Sequence, residues 1–224
     1  DFTLDVAGMQ GKGKLTVFPN PNAPTGIALP LDQVEAIVAS NPDHVVVVDE
    51  AYVDFGADSA VPLLQKYENL LVVMTYSKSR SMAGARLGFA LGSRTLLQDL
   101  EKLKYSTNPY NVNRLTLKLG QAAVDSDGYF REKAREIMAT REKTAQALRA
   151  LSFTLPDSQA NFLFVAHPKV AGETLYRKCK EKGVLIRHFS DPAIAAYNRV
   201  TIGTPAEMEA FLAVVQTILK EEGA

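Results

Sequence analysis

The chain has 224 residues, 46% of them apolar and 22% charged, enough length for one large globular domain or two modest ones. Its 25 basic residues balance 25 acidic ones, so no global field argues for nucleic acid or an anionic membrane as a partner. The single cysteine, Cys179, rules out an internal disulfide. With no apolar run of ~18 residues and no basic start before a hydrophobic core, a cytoplasmic protein is the expectation.

In chain order, Leu15–Phe18 reads as a short strand that runs into Pro19-Asn20-Pro21-Asn22-Ala23-Pro24-Thr25-Gly26. Three prolines there remove donors and fix φ, which excludes regular structure. Pro30 opens a helix with Val34, Ile37 and Val38 on one face. Val45–Val48 is a β-branched run of the kind covered on both faces of a sheet. Residues 61–67 make a short helix, Leu70–Met74 a buried strand and Leu87–Leu91 another. This alternation predicts an α/β fold with a mostly parallel sheet.

Ser93 caps a helix carrying Leu96, Leu97, Leu100 and Leu103. Residues 112–124 are helical again, and a long helix spans about Gly128 to Ala150. Beyond Leu151 the pattern changes to short elements. Phe162–Val165, Val184–Ile186 and Asn198–Ile202 read as strands, and residues 171–182 as a helix. Thr204-Pro205-Ala206-Glu207 opens a last helix with a cap, a proline and an acid in the right order. A smaller α/β domain hung on the long helix is expected, with a ligand cleft between the bodies.

The chemistry concentrates at strand ends, where open α/β sheets bind ligands. Lys78 follows the Leu70–Met74 strand in a hydroxyl-rich loop with Thr75, Ser77, Arg80 and Arg86. A lysine amine forms a Schiff base with an aldehyde when deprotonated, and desolvation or neighbouring cations favour that state. Asp49 ends the valine strand, and a carboxylate is what keeps a pyridine nitrogen protonated. Tyr52, three residues on, is within reach of a ring oxygen, while Glu50 points the other way into a structural role. Ser77, Thr75 and Arg86 are phosphate-binding candidates, since hydroxyls and a guanidinium supply short, directed donors. Gly84 and Gly88 suit close backbone approach. Arg187 and Arg199, each at the end of a small-domain strand, suit a substrate carboxylate or phosphate, and Asn161 stands before the first of these strands. The set suits pyridoxal 5'-phosphate. The three histidines lack metal-ligand spacing, and no Gly-x-Ser-x-Gly elbow or Gly-rich phosphate loop appears.

On Asn20–Gly26, Asp49-Glu50-Ala51-Tyr52, Ser77-Lys78 with Ala83–Phe89, and Arg199–Thr204, the chain resembles the central and C-terminal part of fold-type I pyridoxal phosphate aminotransferases of class I/II. Within that family the likeness is greatest to the histidinol-phosphate branch. The resemblance implies that residues 1–125 belong to the large cofactor domain, 126–150 to a linking helix and 151–224 to the small domain. It implies that Lys78 bonds the cofactor aldehyde, Asp49 pairs with the ring nitrogen, Tyr52 with the ring oxygen, and Ser77 and Arg86 with the phosphate. Arg199 and Arg187 would face the phosphate of the amine donor, with 2-oxoglutarate as acceptor, in a homodimer. The family has Asn directly before Pro-Thr-Gly; here Ala23 stands there, so either Asn22 takes over part of that ring contact or Tyr52 carries it alone. The family's N-terminal phosphate loop, stacking aromatic and substrate arm have no counterpart in these residues, and the 224 residues alone are expected to be inactive. The same signature fits an aromatic or aspartate aminotransferase, a threonine-phosphate decarboxylase, or a cofactor-site remnant without turnover.

Overall fold

The computed structural model describes residues 2–11 and 14–224, and the chain divides into two compact units. One comprises Asp1–Asn22 and Ala28–Lys133, the other Ala23–Ile27 and Ala134–Ala224.

In the first unit, β1 (Leu15–Pro19), β2 (Val45–Asp49), β3 (Leu70–Thr75) and β4 (Gly88–Gly92) form one sheet in sequence order. The β1–β2 and β2–β3 pairs are parallel, β3–β4 antiparallel. The helix α1 (Leu31–Ala39) joins β1 to β2 and packs Val34, Ile37 and Val38 on Phe18, Val46, Val48, Leu70 and Val72. The helix expected at 61–67 is a 3-10 turn, Val61–Gln65, with Leu63 in the same core. The valine strand is not covered equally on both faces. Val46 and Val48 are fully buried, whereas Val45 and Val47 are half-buried, and their β1 neighbours Leu15 and Val17 are 59% and 57% exposed. The described core lies on the Val46/Val48 side, a difference that four identical side chains cannot signal.

Three helices follow: α2 (Arg94–Thr107), α3 (Arg114–Asp125) and α4 (Asp127–Ala150). Ser93 Oγ accepts from the Leu96 N–H (3.4 Å) and Asn113 Oδ1 from the Thr116 N–H (2.8 Å), closing the first turns of α2 and α3. No residue of α2 is fully buried, and Leu103 is 63% exposed.

The second unit takes α4 from Ala134 onward, β5 (Phe162–Val165), α5 (Gly172–Glu181), β6 (Arg187–His188), β7 (Asn198–Thr201) and α6 (Pro205–Glu221). Its sheet is antiparallel, in the order β5-β7-β6. Leu148, Leu163, Val165, Leu175, Cys179, Val200, Phe211, Val215 and Ile218 form its core. Burial there pushes the Cys179 thiol up to about 11. The strand expected at Val184–Ile186 is displaced, with ladder pairing beginning at Arg187. The Val184 N–H instead donates to the Cys179 carbonyl (2.8 Å), and Val184 and Ile186 pack against the core while Leu185 is exposed, so the segment closes the end of α5 rather than joining a sheet. At α6 the expected capping box forms: Thr204 Oγ1 accepts from the Glu207 N–H (3.3 Å) and Glu207 Oε2 from the Thr204 N–H (2.7 Å). Arg141, polar by sequence and so assigned no packing role, is buried in α4, where Nη1 donates to the Ala160 carbonyl (2.8 Å).

Candidate functional site

Register places three separated motifs side by side. Pro19 pairs with Asp49 and Asp49 with Val73, so Asn20–Asn22, Glu50–Tyr52 and Tyr76–Lys78 leave the carboxyl ends of three neighbouring parallel strands. Because β4 is antiparallel and Gly88 pairs with Thr75, Arg86 and Leu87 enter at the same edge. Asp49, Val73 and Thr75 share a face by strand alternation. The Asp49 backbone is fixed from both sides, its carbonyl accepting from the Asn20 N–H (2.9 Å) and the next N–H, that of Glu50, donating to Val73 (2.8 Å). Its carboxylate Oδ1 accepts from the Ala51 N–H (2.9 Å).

The lysine loop is organised by its hydroxyls. Thr75 Oγ1 accepts from the Ser77 N–H (3.1 Å) and lies 3.0 Å from Ser77 Oγ. Lys78 is exposed, and its Nζ sits 5.1 Å from the centre of the Tyr52 ring. Arg86 adopts a left-handed backbone (φ 53°), and its Nη1 donates to the Ala83 carbonyl (3.0 Å). A side chain at Gly88 would meet the Met74 carbonyl at 2.8 Å, which accounts for glycine there; at Gly84 nothing lies within 4 Å, so close approach does not explain that one. The first unit therefore brings Asp49, Tyr52, Thr75, Ser77, Lys78 and Arg86 to one sheet edge, with half-buried Asn22 at the end of the β1 exit. The edge offers an amine, a carboxylate, a phenol and a cluster of anion donors, the chemistry needed to hold a phosphorylated ring aldehyde.

Two supporting residues were not assigned these contacts from sequence. Asn20 is buried and accepts from the Leu29 N–H (2.7 Å) while donating to the Leu29 carbonyl (3.3 Å), pairing with backbone as a strand would. Glu50 is 2% exposed; its carboxylate accepts from Ser59 Oγ (2.6 Å) and the Ala60 N–H (2.5 Å) and so closes the loop that carries Tyr52. Burial pushes this carboxyl above its usual range, against the two hydrogen bonds. Glu50→Ala leaves both donors unmet and is expected to destabilise the protein by ~2–4 kcal/mol in chemical denaturation. A raised native pKa means that the fold binds this proton more tightly than the unfolded chain does. Stability thus falls as pH rises from the unfolded carboxyl's pKa through the raised native one. Glu50→Gln should flatten that fall, and unchanged pH dependence would contradict the assignment.

In the second unit the cross-strand register sets Arg187 opposite Arg199, and Arg199 opposite Phe164, all on one face. Arg199 lies 5.1 Å above the Phe162 ring and Arg187 5.6 Å above Phe189. Arg199 Nε is buried with no hydrogen-bond partner. Like charges directly opposed are unfavourable, and a buried orphan donor costs ~1–3 kcal/mol. An anion that accepted from both guanidiniums would offset the charge opposition. Asn161 stands just before β5, its carbonyl accepting from the Ile202 N–H (2.9 Å).

The model of the family described as aminotransferase class I and II matches residues 1–215. The chain is 47% identical over 221 residues to histidinol-phosphate aminotransferase of Brachyspira hyodysenteriae, covering 98% of this chain and 62% of that protein. It is 49% identical over 221 residues to histidinol-phosphate aminotransferase 1 of Bordetella parapertussis, covering 97% and 62%. Thus it spans about three fifths of the length of these curated relatives. A crystal structure of a putative histidinol-phosphate aminotransferase from Erwinia carotovora atroseptica superposes with a TM-score of 0.84 at 27% identity, over 92% of this chain and 60% of that one. The same fold recurs, at 23% identity and a TM-score of 0.82, in the Sinorhizobium meliloti histidinol-phosphate aminotransferase in complex with pyridoxal-5'-phosphate, over 93% of this chain and 58% of that one. With the strand-end lysine, aspartate and tyrosine in one sheet edge and a family match over almost all its length, the chain belongs to the class I and II aminotransferases.

Proposed function

We propose that the full-length protein transfers the amino group of L-histidinol phosphate to 2-oxoglutarate, giving imidazole-acetol phosphate and glutamate, as a step of histidine biosynthesis. The observation that carries the donor assignment is the Arg187–Arg199 pair, two cations directly opposed across β6 and β7, which suits an anionic end of the donor. Support for the reaction comes from relatives 47% and 49% identical to the chain, both histidinol-phosphate aminotransferases. Pyridoxal 5'-phosphate, when bound, supplies an aldehyde for amines and a protonated ring that withdraws electrons from the reacting carbon.

The chain's residues divide the work. Lys78 would hold the cofactor through its aldehyde, and its Nζ, once free as an amine, would carry the proton at the donor's amine-bearing carbon. Asp49 would hold the proton on the ring nitrogen, and Tyr52, alone or with Asn22, would hydrogen-bond the ring oxygen. Ser77, Thr75 and Arg86 hold the cofactor phosphate. Arg199 and Arg187 hold the donor's phosphate, then a carboxylate of 2-oxoglutarate, and Asn161 is assigned to the substrate with them. In this reading, residues 1–125 form part of the large domain, 126–150 the linking helix and 151–224 the small domain of a cytoplasmic homodimer. Among the described residues no helix is long and apolar enough to cross a membrane.

A donor screen on the full-length protein decides among the members of the family. Histidinol phosphate is expected to outperform aromatic amino acids, aspartate and threonine phosphate; a preference for any of these overturns the assignment. Arg199→Lys keeps the charge but loses the fork, and is expected to weaken histidinol phosphate by ~2–3 kcal/mol, read as a raised KM. The bound cofactor's spectrum should not change, because neither arginine is assigned to it. Unchanged kinetics would remove Arg199 from the substrate site.

A further inference from the structure

Two residues past Lys78 stands a cation to which the reading above gives no task. Arg80 Nη2 donates to Asp127 Oδ1 at 2.6 Å, across 47 positions of sequence. Its guanidinium lies 5.3 Å from the centre of the Phe130 ring. Arg131 Nε donates to the other oxygen, Asp127 Oδ2. These two arginines hold the Asp127 carboxyl below its usual range, and its place in the first turn of α4 adds the favourable end of the helix dipole. The Arg80 side chain is only 20% exposed, and its Nη1 is buried without a hydrogen-bond partner. Satisfying every donor is therefore not what sets this guanidinium's position; Asp127 and Phe130 set it.

The backbone beside it is a tight turn. The Ser81 N–H donates to the Lys78 carbonyl (3.0 Å), which makes Ser79 and Arg80 the two central residues. Ser81 follows with φ 54°, and the Met82 N–H closes onto the Tyr76 carbonyl (2.9 Å). Ser79 Oγ donates to Asp54 Oδ2, two residues from Tyr52. Both central side chains are thus tied to carboxylates from other parts of the unit, and Lys78 is the first residue of the turn they hold. The Lys78 side chain itself is exposed, with its ammonium over Tyr52.

We infer that Arg80 is a positioning residue: its ion pair with Asp127 and its cation–π contact with Phe130 fix the 78–81 turn and thereby aim the Lys78 amine. The inference rests on the reading that Lys78 bonds the cofactor. An exposed ion pair would be worth little, but this one is partly buried and tied to a ring, so its loss frees the turn rather than a surface side chain.

The test uses the full-length holoenzyme with Arg80→Gln, Asp127→Asn, the double variant and Arg80→Lys. Readouts are kcat, KM for the donor, thermal midpoint, and the pH midpoint of the absorbance of the lysine-bound cofactor. Each single variant is expected to lower kcat about tenfold with KM nearly constant, and the double variant to be no worse than either. Arg80→Lys, which keeps the charge without the planar stack, should recover part of the loss. The absorbance midpoint should move in the same direction in both singles, because both release the same turn. Opposite movements would mean a through-space charge effect, since one change removes a cation and the other an anion. A lower thermal midpoint with unchanged kcat and absorbance midpoint would mean a structural role alone. Either result overturns the inference while the cofactor reading stands. If the unmodified protein develops no lysine-linked absorbance with pyridoxal 5'-phosphate, the cofactor reading fails and the inference falls with it.

Discussion

Lys78→Ala in the full-length protein is expected to lower turnover by ~10⁴-fold or more, because in the proposed mechanism one amine serves as both the covalent attachment and the proton carrier. Stability should change little. Lys78 is exposed, and its contact with the Tyr52 ring is of a kind worth ~0.5–1 kcal/mol at such a site. The variant should therefore fold, take up pyridoxal 5'-phosphate reversibly and lose the lysine-linked absorbance. In the unmodified holoenzyme, borohydride reduction followed by peptide mapping should leave the label on Lys78. A label on any other lysine would end the assignment, as would an active Lys78→Ala protein.

Asp49 offers the second large effect, and its surroundings allow a clean substitution. The carboxylate accepts one hydrogen bond from the Ala51 N–H, which an asparagine carbonyl can equally accept. Asp49→Asn therefore keeps the local turn and removes only the charge. Turnover should fall by ~10²–10³-fold, the usual loss when a preorganised electrostatic partner of the reacting centre is removed. Cofactor retention should fall much less, since the hydroxyls and Arg86 proposed to hold the phosphate are untouched. Asp49→Ala should lose as much turnover and also leave the Ala51 N–H unmet. Near-normal turnover in either variant would show that the ring nitrogen needs no anion from this position.

Some of this was legible in the sequence because the signal was local. The β-branched run at Val45–Val48 and the apolar run at Leu70–Met74 mark strands by composition, and each is followed at once by its chemical residues, so strand ends and candidate site residues were found together. The α6 capping box was equally readable, with all its members within four positions. What could not be read depends on partners far along the chain. Which faces of the valine strand are covered is set by α1, not by the valines. The apolar Val184–Ile186 stretch looks like a strand, yet the Cys179 carbonyl claims its first N–H for the end of α5. The cross-strand register that opposes Arg187 to Arg199 is invisible in two arginines twelve positions apart, separated by an irregular connection. Arg80 looked like one more cation near the lysine; its carboxylate partner is 47 residues away.

The Cys179 side chain supplies a built-in reporter. Its thiol is fully buried in the second unit's core and pushed up to about 11, so at neutral pH almost no thiolate exists and none is reachable. Alkylation at Cys179 must then wait for that core to open. Labelling rates followed against denaturant would read the opening free energy of the arginine-bearing unit alone. Amide exchange along β2 and β3 would read the lysine-bearing unit in the same sample, so loss of one unit's order could be told from loss of the other's without any added probe.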